Sequence, residues 1–88
     1  MKFDGISDGT LIEVKSYYSQ FVDPNTGEYK DWFFGANSLV DQANRQIMAS
    51  DGMPICWYFA EESAKNATQA LFDAYNINGI DFKYVPLN

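Results

Sequence analysis

The sequence predicts an α/β fold, a mixed sheet assembled in the order strand, strand, strand, helix, strand, helix, strand, with both helices packed on the sheet. Three observations carry that expectation. The first third of the chain holds apolar and aromatic runs separated by Gly-containing turns. Two later segments, 38–49 and 63–76, repeat apolar residues at helical spacing. Between them, residues 53–60 form a nearly continuous apolar run of strand length. With 88 residues, 47% of them hydrophobic, the chain makes one domain over 1–88 around a single modest core.

In chain order, residues 2–6 read as a short first strand and 10–22 as a long second one, joined by the turn Ser7-Asp8-Gly9. Asp23-Pro24-Asn25-Thr26-Gly27 is a turn cluster, Pro preset for a corner and Gly free to take positive φ. Residues 28–34 then pair back on the second strand. This hairpin sheet over 2–34 carries the aromatics Tyr17, Tyr18, Phe21, Tyr29, Trp32, Phe33 and Phe34, which pack on the sheet or form an exposed platform for stacking bases.

Ser38 or Asn37 caps a helix over 38–49, with Asp41 completing an approximate capping box. Leu39, Val40, Ala43 and Ile47 make its buried stripe, and Gln42 and Gln46 fall on one flank. Asp51-Gly52 stops it. The strand over 53–60 is expected in the centre of the sheet, covered on both faces. Ser63 caps the second helix, with Ala64, Ala67, Leu71, Ala74 and Tyr75 inward, and Asn76-Ile77-Asn78-Gly79 ends it. A strand over 80–85 closes the domain, and Pro86 stops pairing.

Composition removes whole reaction classes. The chain has no His, so Ser-His-Asp and Cys-His nucleophiles and His-ligated zinc are excluded, leaving carboxylate, lysine, tyrosine and metal. One cysteine, Cys56, inside an apolar run, reads as a small buried hydrophobe, and no disulfide can form within the chain. No apolar run reaches the ~18 residues of a membrane span, and no signal-peptide pattern opens the sequence. The expected setting is the cytoplasm, or a target cell into which the domain is delivered, with no membrane partner. A net charge of −6 opposes nucleic-acid binding, which ordinarily relies on Lys and Arg.

Glu13 and Lys15 stand out within the apolar stretch 10–18. Residues i and i+2 of a strand share a face about 6.6 Å apart, so carboxylate and ammonium should look out side by side. With Asp4 folded alongside by the tight turn, they form a divalent-metal site with a cation beside it. Such a site suits metal-assisted attack of water on a phosphodiester, because a bound ion acidifies water and neutralises developing charge. About 0.8 acid-x-basic matches are expected by chance in such a chain, and three occur, at Glu13, Glu28 and Asp81. The Glu13 copy alone lies among Leu11, Ile12 and Val14 with a second acid one strand earlier. The plain alternative is a surface ion pair worth at most about 1 kcal/mol.

The element order and these residues resemble the PD-(D/E)xK restriction-endonuclease-like superfamily. The segments 3–6 and 11–17, the Gln42-x-x-x-Gln46 helix and the run 54–59 are most similar to the restriction-endonuclease-fold toxin domains of bacterial polymorphic toxin systems. The resemblance implies a Mg²⁺- or Mn²⁺-dependent endonuclease in which Asp4, Glu13 and the carbonyl of Val14 hold the metal. By the same resemblance Lys15 orients or activates the attacking water, and Gln42 or Gln46 faces the site. Lys30, Arg45 and Lys65 are candidate phosphate contacts, against a plain reading as solvated surface.

The resemblance would place a helix ahead of the first core strand, and this domain is expected either to have lost it or to rely on another chain or a larger parent. The partners implied are nucleic acid, DNA ahead of RNA, and a cognate immunity or inhibitor protein that binds the aromatic hairpin or contributes basic residues. An exposed aromatic hairpin would also favour homo-oligomers. The alternative function is a non-catalytic acidic module, protein-binding or regulatory, that retains the nuclease fold.

Overall fold

The computed structural model describes residues 5–31, 33 and 35–86. It contains β1 (Gly5–Ser7), β2 (Thr10–Lys15), α1 (Gly35–Ala49), β3 (Ile55–Phe59), α2 (Glu62–Ala74) and β4 (Ile80–Tyr84). Asp8 and Gly9 both take positive φ, 51° and 79°, the pair of angles that closes a two-residue hairpin. That turn sets β1 antiparallel to β2, with Gly5 opposite Ile12. The crossovers through α1 and α2 then make β2, β3 and β4 parallel, giving a mixed sheet in the order β1-β2-β3-β4.

Both helices lie on one face of that sheet. Leu11, Ile55, Trp57 and Phe59 project from the strands into a core completed by Leu39, Val40 and Ala43 of α1 and by Ala64 and Phe72 of α2. Trp57, Phe59 and Phe72 are fully buried. The expectation that β3 is covered on both faces is corrected. Ile12, Val14, Cys56, Tyr58, Asp81 and Lys83 occupy the opposite face, where no helix of the described residues packs, and Val14 is 46% exposed. Cys56 is nevertheless buried among its strand neighbours. Burial pushes its thiol pKa up, with the Lys83 charge pulling the other way, which suits an inert thiol.

Among the described residues of the predicted third strand, 28–34, no strand forms, and β2 ends at Lys15 rather than at residue 22. Tyr17 turns the chain with φ 65°, and a single 3₁₀ turn, Ser19–Phe21, follows. Pairing is reduced to one bridge, Val22 with Tyr29, closed by Asp23 N–H to the Glu28 carbonyl and Lys30 N–H to the Phe21 carbonyl. The aromatics account for the difference, because they pack on one another and on the core. Phe21 and Phe33 stack with ring centroids 4.3 Å apart, Tyr29 lies 5.0 Å from Phe33, and Tyr18 and Tyr29 reach the core cluster. Of the described aromatics expected on an exposed hairpin, Tyr18, Phe21, Tyr29 and Phe33 are packed on one another and Tyr17 is exposed. Trp32 and Phe34 lie outside the described residues.

The first helix begins at Gly35, three residues before the expected cap. Ala36 N–H bonds the Phe33 carbonyl at 3.2 Å, so the chain turns directly from the aromatic loop into the helix. A Cβ at Gly35 would meet the Phe33 ring, so a larger residue there would have to displace that ring from its stack on Phe21. Ser63 does not cap α2; Glu61 occupies that position and uses its side chain elsewhere. Within α2 the buried positions are Ala64, Ala67, Thr68 and Phe72, while Ala74 and Tyr75 are exposed.

Candidate functional site

Strand alternation gives β2 an unusual distribution of residues. Its apolar Ile12 and Val14 take the uncovered face, while Glu13 and Lys15 join Leu11 on the face beneath α1. The expectation that the carboxylate and ammonium look outward is thus corrected: Glu13 is 7% exposed and Lys15 9%. They meet as an ion pair, Nζ to Oε2 at 3.1 Å.

Helix α1 supplies the covering groups. Gln42 and Gln46, one turn apart, lie on the side of α1 that meets β2. Gln42 bridges the pair, accepting from Lys15 Nζ at 2.5 Å through Oε1 and donating to Glu13 Oε2 at 2.8 Å through Nε2. Gln46 donates to Glu13 Oε1 at 3.1 Å. Its other end accepts the Trp57 indole N–H at 2.7 Å, which settles which way the amide points. Trp57 stands opposite Glu13 in the β2–β3 register, and Lys15 Nζ lies 5.0 Å from the Trp57 ring centre. Removing charges from water is costly, and that cost is offset only where bonds are complete. Among the described residues no buried side-chain nitrogen or oxygen lacks a partner.

The structure therefore gathers Glu13, Lys15, Gln42 and Gln46, four of the residues singled out from sequence. Asp4 lies outside the described residues. Lys30, Arg45 and Lys65 are not gathered with them. Lys30 bonds the Gln20 carbonyl, Lys65 bonds Gln69 and Arg45 is exposed.

Trp57 and Glu61 were missed. Trp57 is legible only through the register that sets it opposite Glu13. Gln46 did carry a signal: Leu39, Ala43, Gln46 and Ser50 repeat at helical spacing and are all buried. Glu61, far from β2 in sequence, leaves no local pattern. Its Oε1 accepts the backbone N–H groups of Tyr18 at 2.6 Å and Ser19 at 2.9 Å, and its Oε2 accepts the Ser19 hydroxyl. Burial raises the Glu61 pKa, but these bonds and one from the Tyr17 N–H outweigh it and hold the carboxyl below its ordinary value.

As a metal site the donor set is of the hard-oxygen kind that Mg²⁺ takes. Among the described residues Glu13 Oε1 accepts a single bond, from Gln46. No group of three His, Cys, Asp or Glu able to hold an ion occurs among the described residues, so the fit depends on Asp4 as second carboxylate. No helix of the described residues is long and apolar enough to cross a membrane.

No match was found among curated proteins or among solved structures. The sequence model for restriction endonuclease fold toxin 5 matches residues 1–62, a span that includes Glu13, Lys15, Gln42, Gln46, Trp57 and Glu61. The chain belongs to the restriction endonuclease fold toxin 5 family.

Proposed function

We propose that this chain is a toxin nuclease that hydrolyses phosphodiester bonds, DNA ahead of RNA, with Mg²⁺ or Mn²⁺ held by Asp4, Glu13 and the Val14 carbonyl. The observation that carries the reading is the buried Glu13–Lys15 pair under Gln42 and Gln46, inside the span shared with a nuclease-fold toxin family. A surface ion pair would need neither burial nor two amides.

When bound, the metal would supply charge neutralisation at the phosphate and an acidified water. Each side chain has a task that follows from its bonds. Gln46, locked by the Trp57 indole, keeps Glu13 from rotating. Gln42 Oε1 fixes the Lys15 ammonium and so aims it along one direction. Lys15, held between Glu13 Oε2 and Gln42 Oε1, would direct its ammonium toward the attacking water and toward charge developing on the phosphate. Lys30, Arg45 and Lys65 are assigned to outlying phosphates. The test is cleavage of supercoiled DNA, linear DNA and RNA, each with Mg²⁺, with Mn²⁺ and with chelator. Metal-dependent cutting that chelator abolishes supports the reading, and inert substrates under every condition overturn it.

A cognate immunity protein is the partner this reading implies. Against a toxin charge of −6 it contributes basic residues, and an inhibitor docking through carboxylates alone contradicts that.

A second reading, a non-catalytic acidic binding module on the same fold, is favoured by the same charge and by the cluster's internally complete hydrogen bonding. Titration calorimetry separates the two. A nuclease site binds Mn²⁺ and loses it in Glu13→Gln, whereas a binding module shows no heat in either protein.

A further inference from the structure

Tyr17 is 70% exposed and sits at φ 65°. A bulky side chain in the left-handed region is strained and persists only where its surroundings impose that conformation. Here the surroundings can be named. The N–H groups of Tyr18 and Ser19 converge on the Glu61 carboxylate. A left-handed residue followed by a right-handed one, Tyr18 at φ −100° and ψ −10°, aims successive N–H groups into one anion-holding concavity. On the far side Gln20 Nε2 donates to the Tyr17 carbonyl at 3.2 Å. One residue earlier on the clamping segment, Ala60 N–H holds the Lys15 carbonyl at 3.0 Å.

The exit of β2 is thus fixed on both sides of Ser16, and the Tyr17 ring is kept in solvent two residues beyond Lys15. Neighbouring aromatics are consumed by packing: Tyr18, Phe21, Tyr29 and Phe33 touch one another. No described residue makes a ring contact or hydrogen bond with the Tyr17 side chain. A chain that needed only to turn here would be served better by glycine.

We propose that Tyr17 is a stacking contact for an unpaired nucleobase beside the bond that Lys15 serves, with Glu61 as the positioning residue that presents it. The inference rests on the nuclease reading and adds to it a subsite and a substrate preference, for single-stranded or frayed strands. Stacking is tolerant of sequence because every base has a π face. It is also insensitive to the protein's charge, which suits a chain with six basic residues and a net charge of −6, where backbone grip is weak.

The test compares wild type, Tyr17→Phe and Tyr17→Gly on a short labelled single-stranded oligonucleotide with Mg²⁺, separating kcat from KM, alongside thermal melts. Tyr17→Gly should raise KM roughly tenfold with kcat nearly unchanged, the loss of one stacked base, and should melt no lower than wild type because glycine suits positive φ. Tyr17→Phe should keep the wild-type KM. Three results overturn the inference while leaving the nuclease reading intact: an unchanged KM in Tyr17→Gly, an equal rise in Tyr17→Phe, or a wild type that cuts duplex DNA but not the single strand. A wild type that cuts nothing overturns both.

Discussion

Glu13 and Lys15 form a 3.1 Å ion pair whose side chains are only 10% and 9% exposed, on the face of β2 that packs under α1. A buried pair contributes little net stability, yet removing one partner strands the other and costs about 3–5 kcal/mol. Lys15→Met should therefore lose about 3 kcal/mol in urea unfolding, and the double variant Glu13→Leu/Lys15→Met should regain most of it while remaining inactive. A double variant no more stable than the single would show that the charges are not coupled.

Gln46 is fully buried between Glu13 and the Trp57 indole. Gln46→Leu leaves both the indole N–H and the Glu13 Oε1 without that partner, which should cost about 2 kcal/mol. Gln42 is half-buried and should cost less on change to Ala, but it releases Lys15. The expected contrast is a stability loss led by Gln46→Leu and, in Gln42→Ala, a loss of kcat greater than its loss of stability explains. Equal effects on both measurements in both variants would contradict separate roles for the two amides.

The Glu61 carboxyl is held below its ordinary pKa by the 17–19 backbone and the Ser19 hydroxyl, against the upward push of burial. A folded-state pKa below the unfolded one stabilises the protein above the unfolded value, and that contribution disappears as pH falls through the folded value. Glu61→Gln should thus be less stable than wild type at neutral pH, with the gap closing in acid. A gap that does not change with pH would mean that the clamp does not depend on the carboxylate charge.

Burial lifts the Tyr29 phenol from 10.0 to about 12, its bond to Thr68 acting in the opposite direction. Its hydroxyl sits 2.7 Å from Thr68 Oγ1 and ties the aromatic loop to α2. For a raised phenol pKa the stabilisation is complete below the unfolded value and is lost as pH rises from about 10 to about 12. Ultraviolet titration should show one tyrosine ionising near the upper end, absent in Tyr29→Phe. That variant should lose about 1 kcal/mol at neutral pH. Absence of that late-ionising tyrosine in the wild type would contradict the burial of the Tyr29 phenol.

How much of this was legible in the sequence depends on whether the cause was local. The Asp8-Gly9 turn, the α1 stop at Asp51-Gly52, both helices and the inner strands follow from turn chemistry and periodicity, and the structure has them. The described residues of the predicted strand over 28–34 form no strand. Its aromatics suit a strand and a packed loop equally, and what decides between them is distant in sequence: the core that Tyr18 and Tyr29 reach, and Glu61, 42 residues from Ser19, which holds the chain where it leaves β2. The motif residues Glu13 and Lys15 were found, but not their burial, because the apolar flanks Ile12 and Val14 suggested the opposite facing. Which side of β2 is covered depends on both crossovers placing their helices on the same face, a property of the whole topology.

Whether the Glu13–Lys15 cluster performs phosphodiester hydrolysis is decided most directly by the rate at which wild type and Lys15→Met cut supercoiled plasmid in Mg²⁺, with circular dichroism confirming that both are folded. The expected result is metal-dependent cutting by wild type and at least a hundredfold slower cutting by the folded variant, in line with loss of a general acid–base group. Equal rates from the two folded proteins would contradict it and place the chemistry elsewhere in the chain.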